Sequence, residues 1–512
     1  MTHVPFRTWL LALTPVLAAL TLTAWVFASP VGAGPDDDFH LVSTWCAGAG
    51  ASETCAPGGG DGTVDAPRAL TGIACFAFDA TESAACQGDD WSWSVAVLTE
   101  SDRSNLAGAY PPVFYAVMGV VAGDDIQLSA IVMRLVTVAL FVGITTALFL
   151  LLPAHRRPTL LWGWLLTTVP LGLFLFGTNN PSVWAWIGVG STWIALLGYY
   201  EAEGRRKSAL AVLFVVTALM GAGSRADAAV FTGFAIALVM MLTASRTRQF
   251  ARDSVLPVVV GLIALVLFVA SYFSRSGVSG FTGESYSDPL RGAAGSEPAE
   301  TLEGFALFAY NLLNVSDLWT GVLGGWALGW LDTSMPALVS AAAVAAFVAV
   351  GFVGLSRVTR RTAVAITAVI LVLITLPLLI LQRGGDVVGN QVQARYLLPL
   401  IVLLAGVLTL TRASRPIVLT LTQRVAVIVG LSAAQFVALH LNIRRYVTGI
   451  DSSGPNLDAG LEWWWDGPIG PNAVWLLGSL SYTLLVTILV THIARPETVL
   501  ATTPQALPTP IR

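Results

Sequence analysis

Apolar runs of about twenty residues recur along the whole chain, from "WLLALTPVLAALTLTAWVFA" near its start to "AVWLLGSLSYTLLVTILV" near its end. Wound into an α-helix, a run of that length matches the hydrocarbon thickness of a bilayer. Repeated this often, the runs exclude a single soluble core. With 55% of its 512 residues hydrophobic and only 11% charged, the chain reads as an all-α polytopic membrane protein. We expect about twelve transmembrane helices, over 8–28, 127–152, 159–177, 181–200, 208–222, 228–244, 255–273, 335–355, 362–381, 396–411, 417–440 and 473–494. The first run resembles a signal peptide but is long enough to span, so it is read as a retained helix. The pair over 208–244 is short for two crossings and is interrupted by "GAGSRADAA", which leaves room for a broken or deeply inserted helix.

Charge placement gives the orientation. The short loops "HRRP", "GRRK", "SRTRQFARD", "SRVTRR" and "TRASR" fall on one side, which the positive-inside rule makes cytoplasmic. Of the 31 acidic residues, only Glu201, Glu203, Asp253 and Glu497 lie there. The opposite face carries three long segments, 29–126, 274–334 and 441–472, and the tail 495–512 is expected to be disordered on the cytoplasmic side. Between these outer segments the bundle divides into 1–28, 127–273, 335–440 and 473–494. Within them, 113–122 and the Trp-rich "LWTGVLGGWALGWLDTSMP" are read as interfacial and not as crossings.

All four cysteines, Cys46, Cys55, Cys75 and Cys86, lie in the first outer segment, which fits an oxidising compartment. Four cysteines allow three pairings, and short loop closure favours Cys46 with Cys55 and Cys75 with Cys86. Metal binding is the weaker alternative, because there is no C-x-x-C pair and the segment's one histidine is His40.

Two groups of residues carry chemical potential. The first is "PDDDFH", where three adjacent carboxylates, Asp36, Asp37 and Asp38, sit beside His40 at the lip of the first helix. Such a cluster serves as a general base or a divalent-metal ligand, or it is plain solvated charge, which spacing alone favours. The second is a set of arginines outside the cytoplasmic loops: Arg134, Arg225, Arg275, Arg383, Arg395, Arg444 and Arg445. Charge at membrane depth needs a partner or a task, and the guanidinium fork matches phosphate geometry. Each arginine taken singly is as well explained as a brace, Arg225 on Asp227 for example. Outer tryptophans and the "YPPVFY" aromatics, Tyr110 among them, fit an interfacial belt better than a sugar platform. There is no nucleotide-binding loop, so chemistry driven by cytoplasmic ATP is not expected, nor is any nucleic-acid partner.

In order along the chain, "PDDDFH", "YPPVFYA", "GWALGWLDTSMP", "QARYLLPL" and "LNIRRYVTG" resemble a bacterial family of predicted membrane proteins, domain-of-unknown-function family 2142, over roughly residues 30–450. Its architecture is similar to that of the GT-C glycosyltransferases, which move a sugar from a polyprenyl-phosphate donor to an acceptor on the outer membrane face. The family commonly reads P-D-E-x-x-H where this chain has Pro35, Asp36, Asp37 and His40, which leaves the acid role to either aspartate. The resemblance implies a bacterial plasma-membrane enzyme with its active side outward, using a lipid-linked sugar donor and a cell-envelope acceptor. It implies that Asp36 or Asp37 deprotonates the acceptor hydroxyl. Arg225, Arg395 and Arg444 or Arg445 would hold the phosphate, and His40 and Tyr110 would contact substrate. A divalent cation is an open possibility, and no other cofactor is implied. The rival readings are a transporter or flippase of polyprenyl-linked saccharides and a non-catalytic envelope assembly factor.

Overall fold

The computed structural model describes residues 6–48, 54–88, 91–272, 302–356, 358–390, 392–410 and 417–493, so the expected tail and most of the polar part of the second outer segment lie outside the described residues. Among the described residues, eight helices are long and apolar enough to cross a membrane, and a bent pair makes a ninth. They include α1 (Phe6–Phe27), α5 (Ile126–Leu151), α10 (Ala226–Thr243), α15 (Ala337–Leu355), α16 (Arg360–Gly384), α18 (Leu421–Val447) and α19 (Pro471–Ile493). The eighth, Arg248–Tyr272, joins short α11 (Arg248–Asp253) to α12 (Val255–Tyr272). The bent pair is α6 (Arg157–Thr167) with α7 (Pro170–Phe174), which turn through 86°. Pro170 is at the first helical position of α7, where its missing N–H costs nothing.

The three remaining expected spans are helical; two of them fall short of a lipid-facing span in hydropathy and the third in length. Helix α8 (Ser182–Glu201) is diluted by Trp, Gly, Ser and Thr, yet every residue from Ser182 to Tyr199 is buried. It stands at the centre of the bundle, packed by α9 (Gly204–Ala222), α10 and α17 (Ala394–Leu408). Its surroundings are protein and not lipid, so its side chains answer to close packing instead of transfer into hydrocarbon. A Cβ on Gly188 would collide with the backbone of Gly221 on α9, so small residues set the approach of these helices. Helix α9 opens on Arg205, Arg206 and Lys207, and α17 has only 15 residues.

The first outer segment departs from an all-helical expectation. It holds α2 (Asp37–Ala47), a turn of helix α3 (Arg68–Thr71) and a small antiparallel sheet in the order β1 (Ala56–Pro57), β2 (Val64–Pro67), β3 (Leu98–Ser101). Disulfides join Cys46 to Cys55 and Cys75 to Cys86, the pairing that loop length favours. The apolar stretch before α5 forms α4 (Val113–Met118), which buries Phe114 and Tyr115 and leaves Val117 exposed. Its first amides, Val113 and Phe114, donate to the Gly223 carbonyl in the break between α9 and α10.

Past the residues not described, the second outer segment continues as α13 (Gly304–Asn314), α14 (Ser316–Thr320) and an irregular Trp-rich stretch, none long enough to cross. The Trp330 indole donates to the Gly32 carbonyl at 2.9 Å. In the third segment Trp465 donates to the Phe27 carbonyl at 2.7 Å. These two tryptophans therefore fasten the outer loops to the end of the first helix. One boundary differs from expectation: α18 continues to Val447, so Arg444 and Arg445 are helical and the third outer segment begins after them.

Candidate active site

The chain turns sharply after α1, and Asp36 caps α2 in a left-handed conformation, φ 65° and ψ 13°. This geometry sends three neighbouring carboxylates to three different environments. Asp36 accepts from Arg395 Nη2 at 2.6 Å and from Arg103 Nη2 at 3.4 Å, and its side chain is 34% exposed. Asp38 takes a two-pronged contact from Arg103, 2.7 Å on each oxygen. Asp37 is fully buried, accepts from the Gly34 amide at 3.1 Å and the Asn179 amide at 3.2 Å, and lies 4.0 Å from Arg134.

The two acids that the sequence leaves equivalent are therefore electrostatic opposites. Burial would push the Asp36 carboxyl up, but Arg395 and Arg103 outweigh it and hold it down at about 2. For Asp37 burial prevails over Arg134 and the two amides, and its carboxyl rises to about 7. Burial also lowers His40, which is neutral. Its Nδ1 pairs with the Tyr115 hydroxyl at 2.9 Å, and its Nε2 is buried without a hydrogen-bond partner.

Around Asp36 the aromatics and cations interleave. Tyr396, next to Arg395 at the start of α17, lies under both Arg395 at 5.1 Å and Arg225 at 4.2 Å. Arg225 is buried, makes a two-pronged pair with Asp227 at 2.9 and 3.0 Å, and faces Tyr110 at 5.6 Å. Tyr110 meets the His40 ring edge-on at 5.0 Å. Arg395 itself is only 4% exposed, and its Nε and Nη1 have no protein partner. It lines a small, mostly apolar cleft with Pro35, Leu171, Phe174, Trp326 and Leu328, so α7 and the Trp-rich stretch supply its walls.

The structure thus brings Asp36, His40, Tyr110, Arg225 and Arg395 into one cluster. It turns Asp37 away from that cluster, into the packing beneath α2. Arg444 and Arg445 work elsewhere. Arg444 donates to the Gly454 and Asn456 carbonyls, at 2.8 and 2.9 Å. Arg445 donates to the Glu82 and Phe76 carbonyls and pairs with Asp332 at 2.9 Å, joining the first two outer segments to α18. The three aspartates do not converge on a common point, and among the described residues no group of three or more His, Cys, Asp or Glu is arranged to hold a metal ion. Residues that sequence reasoning passed over are Arg103, Asn179 and Tyr396, whereas Tyr115 was read with the "YPPVFY" aromatics as an interfacial anchor. One signal for Arg103 was available: it and Arg68 are the only basic side chains, Lys or Arg, in the acidic first segment.

A family model described as predicted membrane protein (DUF2142) matches residues 19–404, a stretch that contains the whole cluster. The chain belongs to the DUF2142 family. No curated protein and no solved structure matches it. The DUF2142 assignment agrees with a multi-pass membrane protein and leaves the reaction to be argued from the cluster itself.

Proposed function

We propose that this DUF2142 protein is a GT-C-like glycosyltransferase that moves a sugar from a polyprenyl-phosphate donor to a hydroxyl of a cell-envelope acceptor. In this reading the chain crosses a bacterial plasma membrane twelve times, with α8, α9 and α17 completing the set, and its acidic cluster faces outward. The observation that carries the proposal is the Asp36–Arg395 pair. It combines a carboxylate that is accessible and ionised with a buried guanidinium that has two nitrogens left to offer, beside an apolar cleft.

The chemistry follows from that pairing. The acceptor oxygen attacks the anomeric carbon while its proton passes to the Asp36 carboxylate. The bond from that carbon to the phosphate oxygen breaks, and its electron pair stays on the phosphate. Charge grows on the leaving phosphate as the bond breaks, and Arg395, already desolvated, is placed to stabilise it. A carboxylate held near 2 is a weak base. A donor phosphate that draws Arg395 to itself loosens the hold on Asp36 and raises its basicity at the moment it is needed. Arg225 keeps Tyr396 and Tyr110 in place beside the pair, and the unpartnered His40 Nε2 is positioned to meet a substrate hydroxyl.

The test is transfer by the purified full-length protein in lipid nanodiscs, supplied with a panel of polyprenyl-phosphate sugars, with release of polyprenyl phosphate as the readout. Release by the wild type and its loss in a folded Asp36→Asn variant is the expected result. Equal release by wild type and variant would overturn the proposal.

A further inference from the structure

Helices α8 and α17 connect the cluster to a second feature at the opposite end of the bundle. Ser182, at the start of α8, touches Arg225, whereas Glu201, at its end, lines a cavity of about 540 Å³. Ala394 opens α17 beside Arg395, and Leu410 lies just beyond its end in the wall of the same cavity. A 20-residue helix is about 30 Å long, close to the hydrocarbon thickness of a bilayer. The cavity therefore sits at the level of the other leaflet's headgroups, on the face rich in arginine.

Its lining is polar where it meets the basic loops: Arg156, Tyr200, Ser245, Thr247, Thr359 and Arg361. Two acids also line it, but both are already neutralised. Glu201 pairs with Arg156 at 2.6 Å and His155 at 3.4 Å. Asp253 pairs with Lys207 at 2.6 Å and accepts from Gln249 at 3.0 Å. Arg361 differs. Its Nη1 donates to the Leu242 carbonyl at 3.1 Å, and it forms no ion pair with a carboxylate among the described residues. It also stands in the first turn of α16, a 25-residue helix whose positive end opens on the cavity with Thr359 as its cap.

We infer that this cavity binds a phosphate group from the cytoplasmic side, with Arg361, the start of α16 and the neighbouring hydroxyls as its ligands. The volume is that of a small-molecule site. The residual charge is positive once the two internal pairs are counted. The fork of Arg361 suits a phosphate ester, and pockets of this kind between helix ends accept anionic headgroups. The phosphate belongs either to an anionic phospholipid or to a soluble phosphate, and the two share the same chemistry here. The inference is independent of the outer cluster and of any transfer reaction.

The experiment uses full-length protein in detergent, with dioleoyl phosphatidylglycerol, dioleoyl phosphatidylcholine and inorganic phosphate as separate probes. Binding is read by native mass spectrometry and by thermal shift. Charge-assisted hydrogen bonds of this type correspond to about a tenfold preference for the anionic lipid, lost in Arg361→Gln and partly kept in Arg361→Lys. Arg361 is exposed, so neither change threatens the fold. A thermal shift with inorganic phosphate that Arg361→Gln abolishes supports the site and names a soluble phosphate as sufficient. A preference confined to phosphatidylglycerol supports it and names the lipid. Equal retention of the two lipids together with no phosphate shift, or binding that Arg361→Gln leaves unchanged, would overturn it.

Discussion

Charges at the two ends of the bundle are satisfied in different ways. At the basic end the pairs are local and partly solvated, as with Arg156 and Glu201 or Lys207 and Asp253, whose side chains are between 12% and 23% exposed. At the acidic end buried guanidiniums reach across the fold. Arg134 donates to Asn179 and to the Val26, Ser29 and Pro30 carbonyls, and Arg445 ties α18 to two outer loops. Taking an arginine out of water costs several kcal/mol unless all its donors are met, so these networks are nearly complete. Arg395 is the informative exception, with two of its three nitrogens unmatched. A buried donor left open beside an accessible carboxylate marks a place meant for a ligand more sharply than the number of charges nearby does.

That contrast can be tested by substitution. Asp36→Asn should lower transfer by about 10²–10⁴-fold, as expected for removal of a general base, and should also lower the melting temperature, because it takes the carboxylate from buried Arg395. In the wild type the acid limb of kcat/KM, which reports the free protein, should lie near the Asp36 value of about 2, outside the working range. The acid limb of kcat should lie at higher pH, because bound donor phosphate competes for Arg395. Coincident limbs would count against the proposed exchange of partners.

Asp227→Asn strands Arg225 in a buried site and should cost about 3–5 kcal/mol of stability, measured as a fall in melting temperature in detergent. Asp37→Asn should cost about 1–3 kcal/mol by weakening the link between the Gly34 and Asn179 amides, with a smaller loss of transfer than Asp36→Asn. Because the folded Asp37 value is raised to about 7, the native state holds a proton that the unfolded chain has released between roughly pH 4 and 7. This carboxyl's contribution is therefore fully present below that window and is lost as pH rises through it. The Asn variant should lack that part of the slope when melting is followed from pH 4.5 to 7.5. At the other end Lys207→Ala should change stability by less than about 1 kcal/mol, as partly exposed pairs do.

The membrane class and the disulfide pairing were legible because each rests on a local signal: run length for the first, loop closure for the second. The count of spans was less so. Helix α8 is surrounded by protein, and the hydropathy rule measures fitness for lipid, which its buried faces never meet. Within the site, sequence pointed to Asp36, Arg395 and Arg225 but not to the division of labour between Asp36 and Asp37. That division depends on a single left-handed residue, which turns one carboxylate outward and the next inward. Arg444 and Arg445 read as phosphate ligands from their place after a long helix, yet the helix continues through them and directs them to loop carbonyls. Tyr396 carried no signal beyond its neighbour Arg395.

The left-handed backbone at Asp36 also bears on how the family can diverge. Asparagine and glycine adopt that conformation as readily as aspartate, so the turn by itself does not demand an acid there. A relative with either residue at this position is expected to keep the loop's path and lose the reaction. Within DUF2142 this one position would then separate chains able to carry out the proposed transfer from chains that share only the shape of the loop.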